Sequence, residues 1–264
     1  MRALLCVVLF TVFGAGPALA QSCPVPKTLT FRVEKQIRRD VPGFTQGLEM
    51  DKGVLLEGTG NFVGDTRINH IDPATGKVTA LMNAGKRYFG EGVTVLGDRI
   101  YQMTWRENQV FVFDRQMRLL REMKNPRDGW GLTHDGTRLI ASDGSSRLFF
   151  LSPDDFRTLG AVRVARGGRT VDNLNELEYV DGAVWANIFE TWEMVKINPV
   201  TGCVEATADL RPLRARMNSM ERSLIDSDSN FVPNGIAYDA ASGQFILTGK
   251  YWRTLFFGRF SELN

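Results

Sequence analysis

Short apolar segments alternate with turn-forming polar residues along this chain, and five of them open in the same way. A side chain suited to recognition or chemistry stands directly before a glycine or leucine that begins an apolar run: Gln46-Gly47, Glu91-Gly92, Trp130-Gly131, Asn175-Glu176-Leu177 and Asn234-Gly235. Each run ends in a polar turn (Asp51-Lys52-Gly53, Gly97-Asp98, Asp135-Gly136, Asp181-Gly182, Ser242-Gly243), and a second alternating segment follows. Asp and Gly between two alternating segments are hairpin chemistry, so the pattern predicts strands joined by tight turns. Five repeats of one hairpin-based unit predict an all-β chain folded as a five-bladed β-propeller.

The starts at Gly47, Gly92, Gly131, Leu177 and Gly235 are separated by 45, 39, 46 and 58 residues. The surplus in the last interval lies between Leu210 and Asn230, where Leu210, Leu213, Met217, Met220 and Leu224 recur at helical spacing among charged residues. This predicts a short amphipathic helix inserted between blades four and five, a cap on the rim or a lid over a site. After its start, blade five supplies only three strands, Gly235 to Tyr238, Gln244 to Thr248 and Thr254 to Phe260. The alternating stretch Thr28-Leu29-Thr30-Phe31-Arg32-Val33 is expected to provide the fourth and close the ring. The prediction is one β-propeller domain over 21–264 with no internal linker.

Composition adds the compartment. Residues 1–20 carry one charge, Arg2, then an apolar stretch from Ala3 to Phe13 and the small-residue pattern Ala18-Leu19-Ala20, which reads as a secretory signal peptide. No later apolar run is long enough to span a bilayer, so the expected product is a soluble exported protein, periplasmic or secreted. Removing the signal leaves 31 basic against 30 acidic residues, scattered along the chain, without the clustered basic face that nucleic acid requires. The one dense patch, Arg163, Arg166 and Arg169, reads as a solvated loop. Cys6 leaves with the signal, and Cys23 and Cys203 remain as an even pair able to bridge in an oxidising compartment. Strand order puts both on the face opposite the five starts.

In a propeller the innermost strand of every blade begins at the same mouth where the second strand ends. Gln46, Glu91, Trp130, Asn175, Glu176 and Asn234 therefore converge with Trp105, Phe189 and Lys250, and Trp192 lies just beyond. A carboxylate, amides, indoles and an ammonium at one mouth make an apolar pocket with a few placed polar groups. Taken one at a time, each has a plainer use: Glu91 as an acceptor for backbone N–H groups, the tryptophans as packing, the amides as turn residues, Lys250 as a solvated strand end. The chain has two histidines, His70 in a third strand and His134 in a turn on the opposite face, so neither a zinc cluster nor a Ser/His/Asp arrangement assembles at the mouth. Asp143-Gly144-Ser145-Ser146 and Asp226-Ser227-Asp228-Ser229 lack the spacing of a calcium loop and read as turns.

The strings Phe44-Thr45-Gln46-Gly47-Leu48, Tyr88-Phe89-Gly90-Glu91-Gly92, Gly129-Trp130-Gly131-Leu132, Asn175-Glu176-Leu177-Glu178-Tyr179, Val184-Trp185-Ala186-Asn187, Asn234-Gly235-Ile236-Ala237-Tyr238 and Thr248-Gly249-Lys250 resemble the plant and bacterial type of glutaminyl cyclase. That resemblance implies a five-bladed propeller that converts N-terminal glutamine of peptides to pyroglutamate with release of ammonia, without a metal or other cofactor. It places Glu91 as general acid/base with Lys250 as a catalytic partner, and Phe44, Gln46, Trp105, Trp130 and Asn175 around the substrate. Phe189 stands where the family pattern leads one to expect Trp; it keeps an apolar wall and loses an indole N–H donor, for which Trp192 is the nearest replacement. Two rivals keep the fold: a non-catalytic exported scaffold binding a peptide or cell-wall partner at the same mouth, and a sugar-lactone hydrolase using a channel metal on Glu91, Asn175, Glu176 and Asn234. A closed ring has no long free sheet edge, which predicts a monomer.

Overall fold

At three of the five starts the glycine that follows sits where neighbouring inner strands approach too closely for a side chain. A Cβ on Gly47 would lie 2.4 Å from the Val93 nitrogen, one on Gly92 2.5 Å from the Leu132 nitrogen, and one on Gly131 2.0 Å from the Asn175 oxygen. The recurring motif thus marks the innermost strand of each repeat, and its glycines let those strands pack side by side.

The computed structural model describes residues 23–60 and 66–263; the expected signal peptide, 1–20, lies outside the described residues. The chain enters through β1 (Lys27–Arg38). Three antiparallel four-stranded sheets follow: β2 (Thr45–Asp51), β3 (Val54–Thr59), β4 (Thr66–Ile71) and β5 (Val78–Gly85); β6 (Gly90–Leu96), β7 (Arg99–Thr104), β8 (Gln109–Asp114) and β9 (Leu119–Lys124); β10 (Leu132–His134), β11 (Leu139–Ala141), β12 (Arg147–Leu151) and β13 (Thr158–Arg163). A small hairpin, β14 (Ala165–Arg166) and β15 (Arg169–Thr170), precedes β16 (Leu174–Val180), β17 (Ala183–Ile188), β18 (Glu193–Ile197) and β19 (Val204–Asp209). Arg166 and Arg169, expected in a loop, belong to that hairpin, and Arg166 pairs with Glu193.

Two helices, α1 (Arg211–Arg214) and α2 (Ser219–Ser227), then lead into β20 (Pro233–Asp239), β21 (Gln244–Gly249) and β22 (Thr254–Glu262). The inner strands β2, β6, β10, β16 and β20 pack against one another in that order, and β20 returns to β2. They are buried almost throughout, while the outermost strands β5, β9 and β13 are largely exposed or half-buried. The core fills the gaps between successive sheets: Leu48, Leu55 and Ile71 meet Ala237, Ile246 and Leu255, and Leu56 and Ile68 meet Val93, Val95 and Phe111.

The N-terminal strand does more than its alternation foretold. It runs antiparallel to β22 from Leu29↔Glu262 to Arg38↔Thr254, and its first residues also pair in parallel with β19, Lys27↔Ala206 to Leu29↔Ala208. The last seven strands of the chain and β1 thereby become one eight-stranded sheet. The Cys23–Cys203 disulfide, with Cα atoms 5.3 Å apart, ties the same corner just ahead of the parallel pairing.

Between β19 and β20 the expected single helix is replaced by two. Pro212 opens α1, and Asn218 ends the intervening turn by accepting the Glu221 N–H with its side chain, a helix N-cap. The break rotates the second helix. Leu210, Leu213, Met217 and Ile225 pack inward, whereas Met220 and Leu224, expected on the packed face, are exposed. Glu221 is buried in their place and accepts the backbone N–H groups of Arg253 (2.7 Å) and Thr254 (2.9 Å).

Candidate active site

Eight of the expected residues line one cavity of about 520 Å³: Phe44, Gln46, Glu91, Trp105, Trp130, Asn175, Phe189 and Lys250. Their positions follow strand order. Gln46, Glu91 and Asn175 lie near the beginnings of β2, β6 and β16 and Trp130 just ahead of β10, while Trp105, Phe189 and Lys250 immediately follow β7, β17 and β21. The walls are aromatic edges and faces, Phe44 against Phe89 (6.1 Å between centroids), Phe89 against Trp105 (5.6 Å) and Trp130 edge-on to Phe189 (5.4 Å). Phe89 and Tyr251 complete the walls, and Asp228, Asn230 and Phe231 reach in from the connection between α2 and β20. Phe89 and Tyr251 were findable as neighbours of Glu91 and Lys250 in the chain. The other three lie at and just after the end of the predicted insertion, past its last periodic residue, and the tertiary fold brings them to the mouth.

Within these walls the polar groups form a directed chain. The Thr45 carbonyl can only accept, so the Asn234 side chain presents its amide NH2 there (2.9 Å) and gives its other N–H to Gln46 Oε1 (3.2 Å). Gln46 must then turn its own Nε2 toward Glu91 Oε1, at 3.1 Å. Glu91 is 4 % exposed, and burial lifts its carboxyl well above the ordinary range; the Lys250 ammonium opposes that rise, and the Glu107 and Asp128 carboxylates add to it. Burial likewise pulls Lys250 down to about 8 against the opposing pull of Glu91 and Glu190. The Lys250 ammonium stands over the rings of Phe189 (4.4 Å) and Phe44 (4.8 Å), which hold a cation by their π faces. A proton-accepting carboxyl, an ammonium and the amide of Asn175 thus face one apolar chamber.

A second buried network holds the loops that carry these groups. Arg39, 1 % exposed, donates through Nε to the Trp252 carbonyl (2.6 Å) and through Nη2 to the Gly43 carbonyl (3.2 Å) and Thr45 Oγ1 (3.2 Å), and it pairs with buried Glu57. Glu57 also accepts from Thr45 Oγ1 (2.6 Å) and Asn69 Nδ2 (3.0 Å). Phe44 and Gln46 are therefore clamped to the segment bearing Lys250 and Tyr251, a join repeated by the Tyr251 N–H on the Gly43 carbonyl (2.8 Å). Trp130 is seated on Gly144: a Cβ there would come within 2.6 Å of the indole, and the backbone φ of +80° also calls for glycine.

Three residues from the expected convergence have other positions. Glu176 is fully buried beneath the cavity, where its oxygens accept the N–H groups of Leu48 (3.0 Å) and Ile236 (2.7 Å). Asn234 orients Gln46 from behind. Trp192 stacks on Trp252 (5.3 Å, 30° between planes) and lines a neighbouring cavity, so it does not replace the indole missing at Phe189. Among the described residues no group of three or more His, Cys, Asp or Glu side chains is placed to hold a metal ion, and both oxygens of Glu176 accept backbone N–H groups.

Comparison with known proteins places the sequence and the fold. The sequence profile of the Glutamine cyclotransferase family matches residues 5–260. The glutaminyl-peptide cyclotransferase of Arabidopsis thaliana is 35% identical over 263 residues, covering 96% of this chain and 80% of the plant protein. The crystal structure of Myxococcus xanthus glutaminyl cyclase superposes with a TM-score of 0.79 at 29% identity, covering 90% of this chain and 100% of that one. The WD40 β-propeller domain of Doa1, at 10% identity and a TM-score of 0.51 over 90% of this chain and 93% of its own, shares the fold alone and shows it to be propeller-like. By profile, sequence and fold, the chain belongs to the glutamine cyclotransferase family.

Proposed function

We propose that this protein is a glutaminyl-peptide cyclotransferase, a five-bladed β-propeller over residues 21–264 with a helical insertion between blades four and five, exported after loss of residues 1–20 and active as a monomer. The observation that carries the reading is a buried carboxyl, Glu91, held by Gln46 and faced by the Lys250 ammonium inside an aromatic chamber. The substrate is the N-terminal glutamine of a peptide or protein. Its α-amine attacks the carbon of its own γ-carboxamide, and fixing the two in near-attack geometry supplies much of the rate. Glu91 takes the proton from the attacking nitrogen, Lys250 and the Asn175 amide stabilise the negative oxygen of the tetrahedral intermediate, and Glu91 returns the proton to the departing ammonia. A five-membered lactam and one ammonia result, with no bond to the enzyme.

Trp105, Trp130, Phe44 and Phe189 exclude water and hold the alkyl part of the glutamine. The raised pKa of Glu91 suits a group that must accept and give a proton in one turnover. The test is ammonia release from a short Gln-initiated peptide by wild type and Glu91→Gln. We expect the amide to fold normally and lose about 10²- to 10⁴-fold in kcat/KM, the range that a positioned acid/base contributes. Near wild-type turnover in Glu91→Gln sinks the assignment of the base, and absence of turnover in the wild type favours the binding scaffold.

A further inference from the structure

We propose that a second cavity beside the candidate active site is a subsite for the peptide residues that follow the N-terminal glutamine, and that it selects a lysine or arginine there; this rests on the cyclotransferase reading. The cavity, about 540 Å³, lies between the helical connection and the loop after β17, and it shares Asp228 and Phe231 with the catalytic chamber. Phe189 lines the first and Glu190, the next residue, lines the second. A peptide whose first residue fills the aromatic chamber can therefore continue over the Phe231 edge into a concave surface.

The chemistry of that surface fits a long side chain with a cationic end. Ile225 and Val232 give an apolar floor for a methylene stem, and the Trp192 indole, fixed by its stacking on Trp252, offers a face to a cation. The cavity also contains two guanidinia, each already paired with a carboxylate of the protein. Arg211 Nε lies 2.9 Å from both oxygens of Asp209, and Arg214 pairs through Nε and Nη2 with Asp226. That leaves two carboxylates of this cavity, Glu190 and Asp228, in no ion pair among the described residues. Glu190 has no ion pair, and its negative charge is felt by the Lys250 ammonium; Asp228 accepts only from Asn230, through the backbone N–H and the side-chain amide. Glu190 and Asp228 flank the passage from one cavity to the other, so the excess charge facing an incoming peptide is negative.

The experiment uses the full protein and four amidated peptides, Gln-Lys-Ala, Gln-Glu-Ala, Gln-Ala-Lys and Gln-Ala-Glu, at low and at physiological salt. We expect a Lys over Glu preference in kcat/KM of about three- to tenfold at one of the two positions, the scale of two partly exposed ion pairs beside an aromatic face, expressed in KM and reduced by salt. Glu190→Gln combined with Asp228→Asn should bring that ratio close to one. Calorimetric Kd values for the same peptides give the ratio independently of turnover. A ratio near one in the wild type, or one that survives the double substitution, overturns the subsite. Absence of turnover on every peptide with the Kd ratio intact overturns the cyclotransferase reading and leaves the cationic subsite standing.

Discussion

At the scale of single residues, the site is set by the direction of three hydrogen bonds. The Thr45 carbonyl fixes the amide of Asn234, Asn234 fixes Gln46, and Gln46 is left with a donor for Glu91. A donor favours the ionised carboxylate and so works against the burial that raises its pKa. Asn234→Leu removes the constraint at nearly constant volume and allows Gln46 to turn its oxygen toward Glu91. The acid limb of the kcat/KM profile should then move to higher pH by about one to two units, the equivalent of one hydrogen bond to a charged group. An unmoved acid limb in a folded variant would show that Asn234 only fills space. In the wild type the same profile should fall on its alkaline side near pH 8, as Lys250, held down at about 8 by burial, loses its proton. The charges of Glu91 and Lys250 act on each other's titration, so these limbs belong to the pair.

At the scale of elements, the mouth is assembled from strand ends that no local interaction joins, and the Arg39–Glu57 network supplies the join. It links the end of β1, the loop before β2 and the turn after β21 through groups that are fully buried. Arg39→Leu leaves the Glu57 charge buried without its cation, which costs about 3–5 kcal/mol, a loss readable in urea unfolding. Replacing both partners by Leu and Met should cost less, because no uncompensated charge remains. Both variants should lower kcat through the loosened Phe44 and Lys250 segments. If the double variant recovers stability and full kcat together, the network serves folding alone. The helices between β19 and β20 act on the same turn from outside, since Glu221 accepts both the Arg253 and the Thr254 N–H.

At the scale of the whole molecule, closure is secured twice at one corner, by β1 pairing with both β22 and β19 and by the Cys23–Cys203 bridge across 180 residues of sequence. Cys203→Ser should cost about 2–4 kcal/mol through the freer unfolded chain, seen as a lower midpoint of denaturant unfolding with the fold retained. An unchanged midpoint would mean that the strand pairings suffice.

The pH dependence of stability is also a property of the whole ring. Glu49, raised by burial to about 7, and Glu176 and Glu178, raised well above the usual carboxyl range by burial, are neutral in the folded state at pH values where the unfolded chain is ionised. The folded state therefore binds more protons, and stability declines as pH rises from about 4.5 to about 7. Asp135, lowered by hydrogen bonds from Arg138 and Thr137 despite its burial, works in the opposite sense and its contribution fades as pH falls below about 3.8. Urea midpoints should peak on the mildly acidic side, and Glu49→Gln should flatten the fall toward neutrality. A midpoint that rises from pH 5 to 7 contradicts this.

The sequence by itself determined the all-β character and the places where inner strands begin, because a period of two and turn residues at fixed offsets are local signals. Strand order also indicated which strand ends could meet: Gln46, Glu91, Trp130, Asn175, Trp105, Phe189 and Lys250 line one cavity, joined by Phe44 from the family resemblance, whereas Glu176 and Asn234 do not. What it left open depends on contacts between distant segments. The parallel pairing of β1 with β19 has no signature in either strand alone. The helical face was misjudged because the Asn218 cap breaks the period that Met220 and Leu224 extend. Glu176 and Glu91 occupy equivalent starts and read alike, yet one is taken by two backbone N–H groups and the other faces the chamber. That difference comes from which neighbouring strand offers a donor, and only the closed ring decides it.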